Sequence, residues 1–292
     1  MHTLILSISC SVAVSVLLKL VKRYKIDVAQ AIAMNYVIAL LLCVLLLKPQ
    51  ASSLIQPSTA WWVLIMLGIL LPTIFIAMAK AVEHAGIVLS DAAQRLSLII
   101  PLLAAFFVFN ENMSTTKIAG VTVAILALAL LLVRKENSYQ VTSKGHYSGA
   151  IINKLKPPFF LLCVWLGYGT IDILFKQMAR SGTGFASSLA GSFILAGIII
   201  WSWLLIKKTK WSITSLKFGT FLGLLNFGNI FFYIKAHQAF PDNPTLVFSA
   251  MNTGVITIGV LVGAGFFKER LNAYNIGGIS CAILAIILLV PR

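Results

Sequence analysis

The sequence predicts an all-α polytopic membrane protein of about ten transmembrane helices in two inverted five-helix repeats, and three observations carry that prediction. The first is composition: 292 residues that are 59% hydrophobic and 11% charged, with a mean hydropathy of +0.96, are more apolar than a soluble core of this length requires. The second is a succession of apolar stretches, each near the roughly 20 residues that cross a hydrocarbon core as a helix. The third is an internal echo. FFVFNENMSTTKIAGVTVAILALALLL, ending at Leu132, returns near the C-terminus as GAGFFKERLNAYNIGGISCAILAIILL. Upstream, Leu67-Gly68-Ile69-Leu70 matches Leu222-Gly223-Leu224-Leu225, and Ala79-Lys80-Ala81 matches Ile234-Lys235-Ala236. A few extra residues enter the second copy around Pro241 to Pro244. A unit with an odd number of spans, used twice, enters the membrane from opposite sides, which is the inverted-repeat plan of many secondary transporters. The runs lack the strict alternation of a transmembrane β-barrel.

In chain order, the first repeat is read over 1–133, a linker over 134–158 and the second repeat over 159–292. The first span, 3–21, has no positive n-region and no small-residue cleavage site, so it is read as a helix and not a removed signal. The second, 28–47, carries Asn35 and Tyr36; the third, 61–82, opens on Trp61 and Trp62 at an interface and contains Pro72 and Lys80. The fourth, 88–109, holds Asp91, Arg95 and Pro101, and the fifth, 116–133, follows a turn with Glu111 and contains Gly120. Both prolines are expected to kink their helices. The linker RKENSYQVTSKGHYSGAIINKLKPP is basic, polar and closed by Pro157 and Pro158, which suits an irregular solvated segment.

The second copy repeats the scheme. Its spans are 159–179 with Tyr168, Asp172 and Lys176; 185–206; 213–237 with Asn226, Asn229 and Lys235; 245–267 with Asn252; and 274–290 with Gly278. Gly219/Gly223 and Gly259/Gly263 stand at GxxxG spacing, which suits close helix approach. Glu111 and Glu269 are expected to cap the N-terminus of the following helix or to bind nearby backbone N–H groups. Cys10, Cys43, Cys163 and Cys281 are scattered through the spans and read as small buried apolar groups.

The formal net charge of +15 does not point to nucleic acid, because the basic residues flank spans, where they report orientation. Their bias puts the linker in the cytoplasm and both termini outside. Enzymatic readings find no support: GxSxG, HExxH and a Gly-rich phosphate loop are absent, and His2, His84, His146 and His237 are dispersed. No cofactor, metal or nucleotide engine is expected.

Ionisable residues within spans are functional candidates because an unpaired charge in hydrocarbon is costly. Lys80 and Lys235 occupy equivalent places late in the third and eighth spans and could grip a carboxylate or phosphate from two sides, or snorkel to headgroups. Asp91 with Arg95 stands at pairing distance on one helix, as does Asp172 with Lys176. Tyr168, Asn229 and Asn252 could hydrogen-bond a ligand or a neighbouring helix. Lys19 matches Lys176 in position. A proton-coupled carrier would need a carboxylate in the cavity, and Asp91, Glu83 and Asp172 are the available ones.

The proline-containing fourth helix, the FNEN or FKER turn with its Glu111 or Glu269, and the Gly-led fifth helix resemble the EamA family of the drug/metabolite transporter superfamily. The resemblance covers essentially the whole chain, twice over. It implies a ten-helix secondary carrier of a small metabolite, such as an amino acid or another organic anion or zwitterion. Export is favoured over import, through a central cavity between halves that alternate in access. It also implies a bacterial inner-membrane location with both termini cytoplasmic, opposite to the loop charges. The expected partners are a small-molecule substrate and membrane lipids, in a monomer or homodimer. A lipid-headgroup flippase of the same superfamily and a non-transporting membrane scaffold or sensor are the rival readings.

Overall fold

A computed structural model describes residues 1–23, 26–50, 52, 60–112, 114–132, 156–180, 184–266 and 273–290. Most of the linker and Glu269 lie outside the described residues, as do the side chains of Lys19, Asp91 and Gly263. The described chain forms α1 (His2–Arg23), α2 (Val28–Leu42) prolonged by a π-helical turn Cys43–Leu47, α3 (Trp61–Leu96), α4 (Ile99–Phe107), α5 (Thr115–Leu132), α6 (Lys156–Arg180), α7 (Phe185–Ile206), α8 (Ile213–Ala239), α9 (Pro244–Phe266) and α10 (Ala273–Leu289). Five segments are long and apolar enough to cross a membrane: Val28–Leu47, Trp61–Ala85, Phe159–Arg180, Phe185–Ile206 and Pro244–Val262. Among the described residues, four shorter apolar helices, His2–Leu17, Ala92–Phe107, Thr115–Leu130 and Ile276–Leu289, together with α8 complete the ten.

Local chemistry fixes the ends. Asp27 caps α2 by accepting from the backbone N–H groups of Ala29 and Gln30 at 2.9 and 3.2 Å. Ser212 caps α8 by accepting from the Ser215 N–H. Gln30 ties the two starts together, donating to the Lys210 carbonyl and accepting from the Ser212 N–H at 2.8 Å. Pro157 and Pro158, expected to close the linker, instead fall in the first turn of α6, where a missing N–H costs nothing.

One expected break is displaced. The sequence predicts a loop between 82 and 88, but α3 continues through Leu96 and the chain turns at Ser97 and Leu98. The segment from Glu83 to Leu96 is rich in alanine and leucine and carries no proline. Pro101 sets the break: it lacks the N–H that would bond the Ser97 carbonyl, and its ring crowds that carbonyl, so the helix yields four residues upstream. The Ser97 carbonyl is taken by the Ile100 N–H at 3.0 Å instead. In the second copy the loop does stand at the place equivalent to 82–88: the turn Phe240–Asn243 between α8 and α9, built by the extra residues around Pro241. At Pro72, inside α3, Thr73 Oγ1 donates to the Ile69 and Leu70 carbonyls and helps satisfy the interrupted ladder.

The repeats interlock. α5 packs along α10; α3 packs on α6 and α7 while their counterparts α8, α1 and α2 make the mirrored set, α8 on α1 and α2. α2 also meets α7, and α4 meets α9, so equivalent helices pair across a pseudo-twofold relation. The buried core accordingly mixes both copies, with Tyr36, Leu67 and Leu98 beside Phe175, Phe193 and Phe248. Ile5, Leu45, Phe221 and Ile287 point outward, as a hydrocarbon-facing surface requires. Trp201, expected as an interfacial anchor, donates to the Ala33 carbonyl at 3.1 Å and stacks on Trp211, so it also clamps α7 to α2. Cys43 is buried as expected, whereas Cys10, Cys163 and Cys281 are only partly so.

Candidate functional site

Where α6 and α8 end, on the side of the bundle away from the start of α6, the second copy forms an open cavity of about 560 Å³. Its wall is Lys176, Ala179 and Arg180 of α6, Phe185 of α7, Lys235, His237 and Gln238 of α8, and Pro241 of the following turn. The helical period brings these groups together. Lys176 and Arg180 are one turn apart on α6, and Lys235 and Gln238 lie three apart on α8.

The cations are held by carbonyls and rings. Lys176 Nζ, on a residue 1% exposed, donates to the Pro241 carbonyl at 2.6 Å. Arg180 donates to the Phe109 carbonyl at 3.3 Å, with its guanidinium 4.7 Å from the Phe109 ring centre. Lys235 Nζ lies 5.0 Å from the Phe185 ring centre, a cation–π distance. Phe109, at the end of α4, is thus the first repeat's contribution beside the cavity.

A polar cluster adjoins this wall and shares His237 with it. Tyr233 Oη of α8 donates to Asp172 Oδ1 of α6 at 3.0 Å, and the Asn252 side chain of α9, which donates to the Phe248 carbonyl at 3.1 Å, stands beside the same carboxylate. His237 is wedged between the rings of Tyr233 and Phe248, each at 4.8 Å between centroids. It is 1% exposed, and neither ring nitrogen has a hydrogen-bond partner.

The sequence-level candidates divide. The expected Asp172–Lys176 pair does not form, because Lys176 turns to the Pro241 carbonyl and Asp172 to Tyr233 and Asn252. Lys80 and Lys235 are not brought together. Lys80 is exposed and pairs with Glu83 at 2.8 Å. The neighbouring His84 packs on Phe160 at the beginning of α6, whereas Lys235 sits beyond its end. About 20 residues of helix separate those levels, roughly 30 Å at 1.5 Å per residue. An in-plane pseudo-twofold carries equivalent positions to opposite membrane faces, which is the physical reason. Lys80→Gln is therefore expected to leave transport kinetics unchanged, in contrast to Lys235→Gln, in the same flux assay.

Arg95 is half-buried on α3, with its expected partner Asp91 outside the described side chains. Tyr168 is half-buried on α6. Asn229 accepts from Ser7 Oγ at 2.9 Å in the seam between α1 and α8, so it serves helix packing. Asn35 accepts from Asn226 Nδ2 at 3.1 Å in the seam between α2 and α8. Arg180, His237, Phe109 and Pro241 were not singled out by sequence reading. The available signals were the i, i+4 repetition of Lys176 with Arg180 and of Tyr233 with His237.

Glu111 does cap a helix, and the helix belongs to the other copy. Asn110 adopts a left-handed conformation, φ 54°, that asparagine tolerates, and this turns the chain after α4. Glu111 Oε2 then accepts from the Thr245 N–H and Oγ1 of α9 at 2.9 and 2.6 Å, while Oε1 pairs with Lys117 at 2.9 Å.

Comparisons with known proteins agree with this architecture. The model of the EamA-like transporter family matches residues 1–133. An uncharacterized protein of Haemophilus influenzae is 48% identical over 291 residues, covering 98% of this chain and 96% of that protein. A crystal structure of a protein with 12% sequence identity superposes with a TM-score of 0.72 over 99% of this chain and 95% of that one, a likeness of fold alone. The chain belongs to the EamA-like transporter family, which makes it a multi-pass integral membrane protein and a transporter in class, not an enzyme.

Proposed function

We propose that the chain is a secondary transporter that exports a small metabolite bearing a carboxylate or phosphate, using alternating access between its two repeats. The observation that supports this reading is the convergence of Lys176, Arg180 and Lys235 on one cavity beside the α4 end of the opposite repeat. Such a wall attracts an anion from water. Relative movement of the repeats would alter the Arg180–Phe109 and Glu111–Thr245 contacts, which cross between them.

Coupling to protons is assigned to Asp172. Of the carboxylates with described side chains, Glu83 pairs with Lys80, Glu111 with Lys117, Asp27 caps α2 and Asp242 is exposed on a turn. Asp172 is held by neutral groups only, within a span. A carboxylate so placed exchanges a proton without breaking an ion pair.

The experiment is flux in proteoliposomes loaded with a pH-sensitive dye and challenged in turn with carboxylates, phosphate esters and amino acids. One or more of these is expected to drive a proton flux that Asp172→Asn abolishes, leaving substrate exchange in place. Equal proton flux in wild type and Asp172→Asn removes the coupling assignment. If no compound of any class moves, the carrier reading itself fails.

A further inference from the structure

Among the described residues, three cations line the cavity and no carboxylate does. Among the described residues, Lys176, Arg180 and Lys235 make no ion pair; their partners are two carbonyl oxygens and the faces of Phe109 and Phe185. Carbonyls and rings carry partial charge, so they orient the cations without neutralising them. The nearby acids are already engaged: Asp172 with Tyr233 and Asn252, Glu111 with Lys117 and Thr245. Asp242 lies exposed on the turn outside the wall.

His237 is the second, independent observation. A ring buried to 1% exposure, with both nitrogens unpartnered and on the cavity wall, is a polar group whose hydrogen bonds remain to be made. The imidazole presents at least one N–H donor in any protonation state, so it suits an oxyanion.

We infer that this cavity binds an organic dianion, a dicarboxylate or a phosphate monoester, with His237 donating to its oxygen atoms, and that it discriminates against zwitterions. The charge balance carries the choice. Counting the wall alone, a dianion takes its formal charge from three to one, whereas a zwitterion leaves it at three and brings an ammonium into a field of like sign; Glu111 and Asp242, outside the wall, act on Lys176 among the three. Discrimination of this kind acts by repulsion of the wrong ligand as much as attraction of the right one. The inference rests on the proposed carrier function only for the ligand's being a transported solute; a lipid headgroup with a phosphate monoester offers the same chemistry.

The test is thermal unfolding of the purified full chain in detergent with succinate, glycerol phosphate or alanine at matched ionic strength. It is repeated in nanodiscs with and without phosphatidic acid. A ligand that binds the folded state raises the midpoint by mass action. Succinate or glycerol phosphate is expected to raise it and alanine to leave it unchanged. The half-saturating concentration should rise about tenfold in Lys235→Gln and in His237→Asn, a change of about 1.4 kcal/mol. Arg180→Gln, at an exposed position, keeps the test usable if the buried His237 variant fails to fold. If phosphatidic acid stabilises while soluble dianions do not, the dianion site stands, its ligand is a headgroup, and the solute-carrier reading of the cavity falls. If alanine stabilises as strongly as succinate, or if neither soluble dianions nor phosphatidic acid has an effect, the dianion site is overturned and the carrier must use another site.

Discussion

Gly219→Ala is expected to lower the unfolding free energy by at least about 3 kcal/mol, the upper range for overpacking, because the added methyl meets backbone. A Cβ there would stand 2.5 Å from the Ala31 carbonyl oxygen and 2.9 Å from the Ala31 Cα. Neither atom belongs to a side chain that could swing away, so α8 must move off α2 along the whole seam, where Asn226 bonds Asn35. Gly223→Ala is expected to behave alike, its Cβ meeting the Asn35 carbonyl oxygen at 2.9 Å. Gly259 has the same sequence spacing to Gly263 but nothing within 4 Å of an added Cβ. The expectation that it serves close packing is therefore not met there, and Gly259→Ala should be neutral or stabilising by up to ~1 kcal/mol through helix propensity. Thermal midpoints of the three variants in one detergent decide this. Equal effects at Gly219 and Gly259 would refute the α2–α8 seam.

Glu111→Ala is expected to cost about 3 kcal/mol, within the range for breaking a buried, hydrogen-bonded charge pair. The loss is concentrated at the first turn of α9, whose Thr245 N–H is left without its carboxylate, and at Lys117, which retains partial access to water. A cycle with Thr245→Val isolates the Oγ1 bond at 2.6 Å, for which a coupling of roughly 1.5–3 kcal/mol is expected from a hydrogen bond to a charged group. Additive single and double variants would show that the contact carries no stability.

Much of the fold was legible because apolar length and an internal echo are long-range averages that survive local error. Ten helices and the Glu-bearing turn follow from patterns within one stretch of chain, whereas the helix that Glu111 caps, α9 of the other copy instead of the following α5, does not. The α3–α4 break was misplaced because a span length of about 20 residues put it between 82 and 88, whereas the helix runs on until Pro101 leaves the Ser97 carbonyl without its helical donor. The candidate site was legible only in parts. Lys235, Lys176, Asp172 and Asn252 were recognised as ionisable or polar groups inside spans. Their partners were not, because Pro241, Phe109 and Tyr233 come from two turns and another helix that no spacing rule connects. The pairing of Lys80 with Lys235 failed for a geometric reason that the repeat itself contains, since inversion sends equivalent residues to opposite faces.

The exchange of helix partners between repeats also sets the order in which the molecule can be completed as it is made. α5 leaves the ribosome 157 residues (289 − 132) before α10, the helix it packs along. At 5–20 residues per second that is an interval of roughly 8 to 30 s. During it, α1 and α2 likewise lack α8, and α3 lacks α6. The early helices must wait in lipid as separate inserted rods, protected by their apolar surfaces, until their mates arrive. Interrupting synthesis midway should leave a membrane-integrated but protease-sensitive fragment, and supplying the missing half as a second polypeptide should restore resistance.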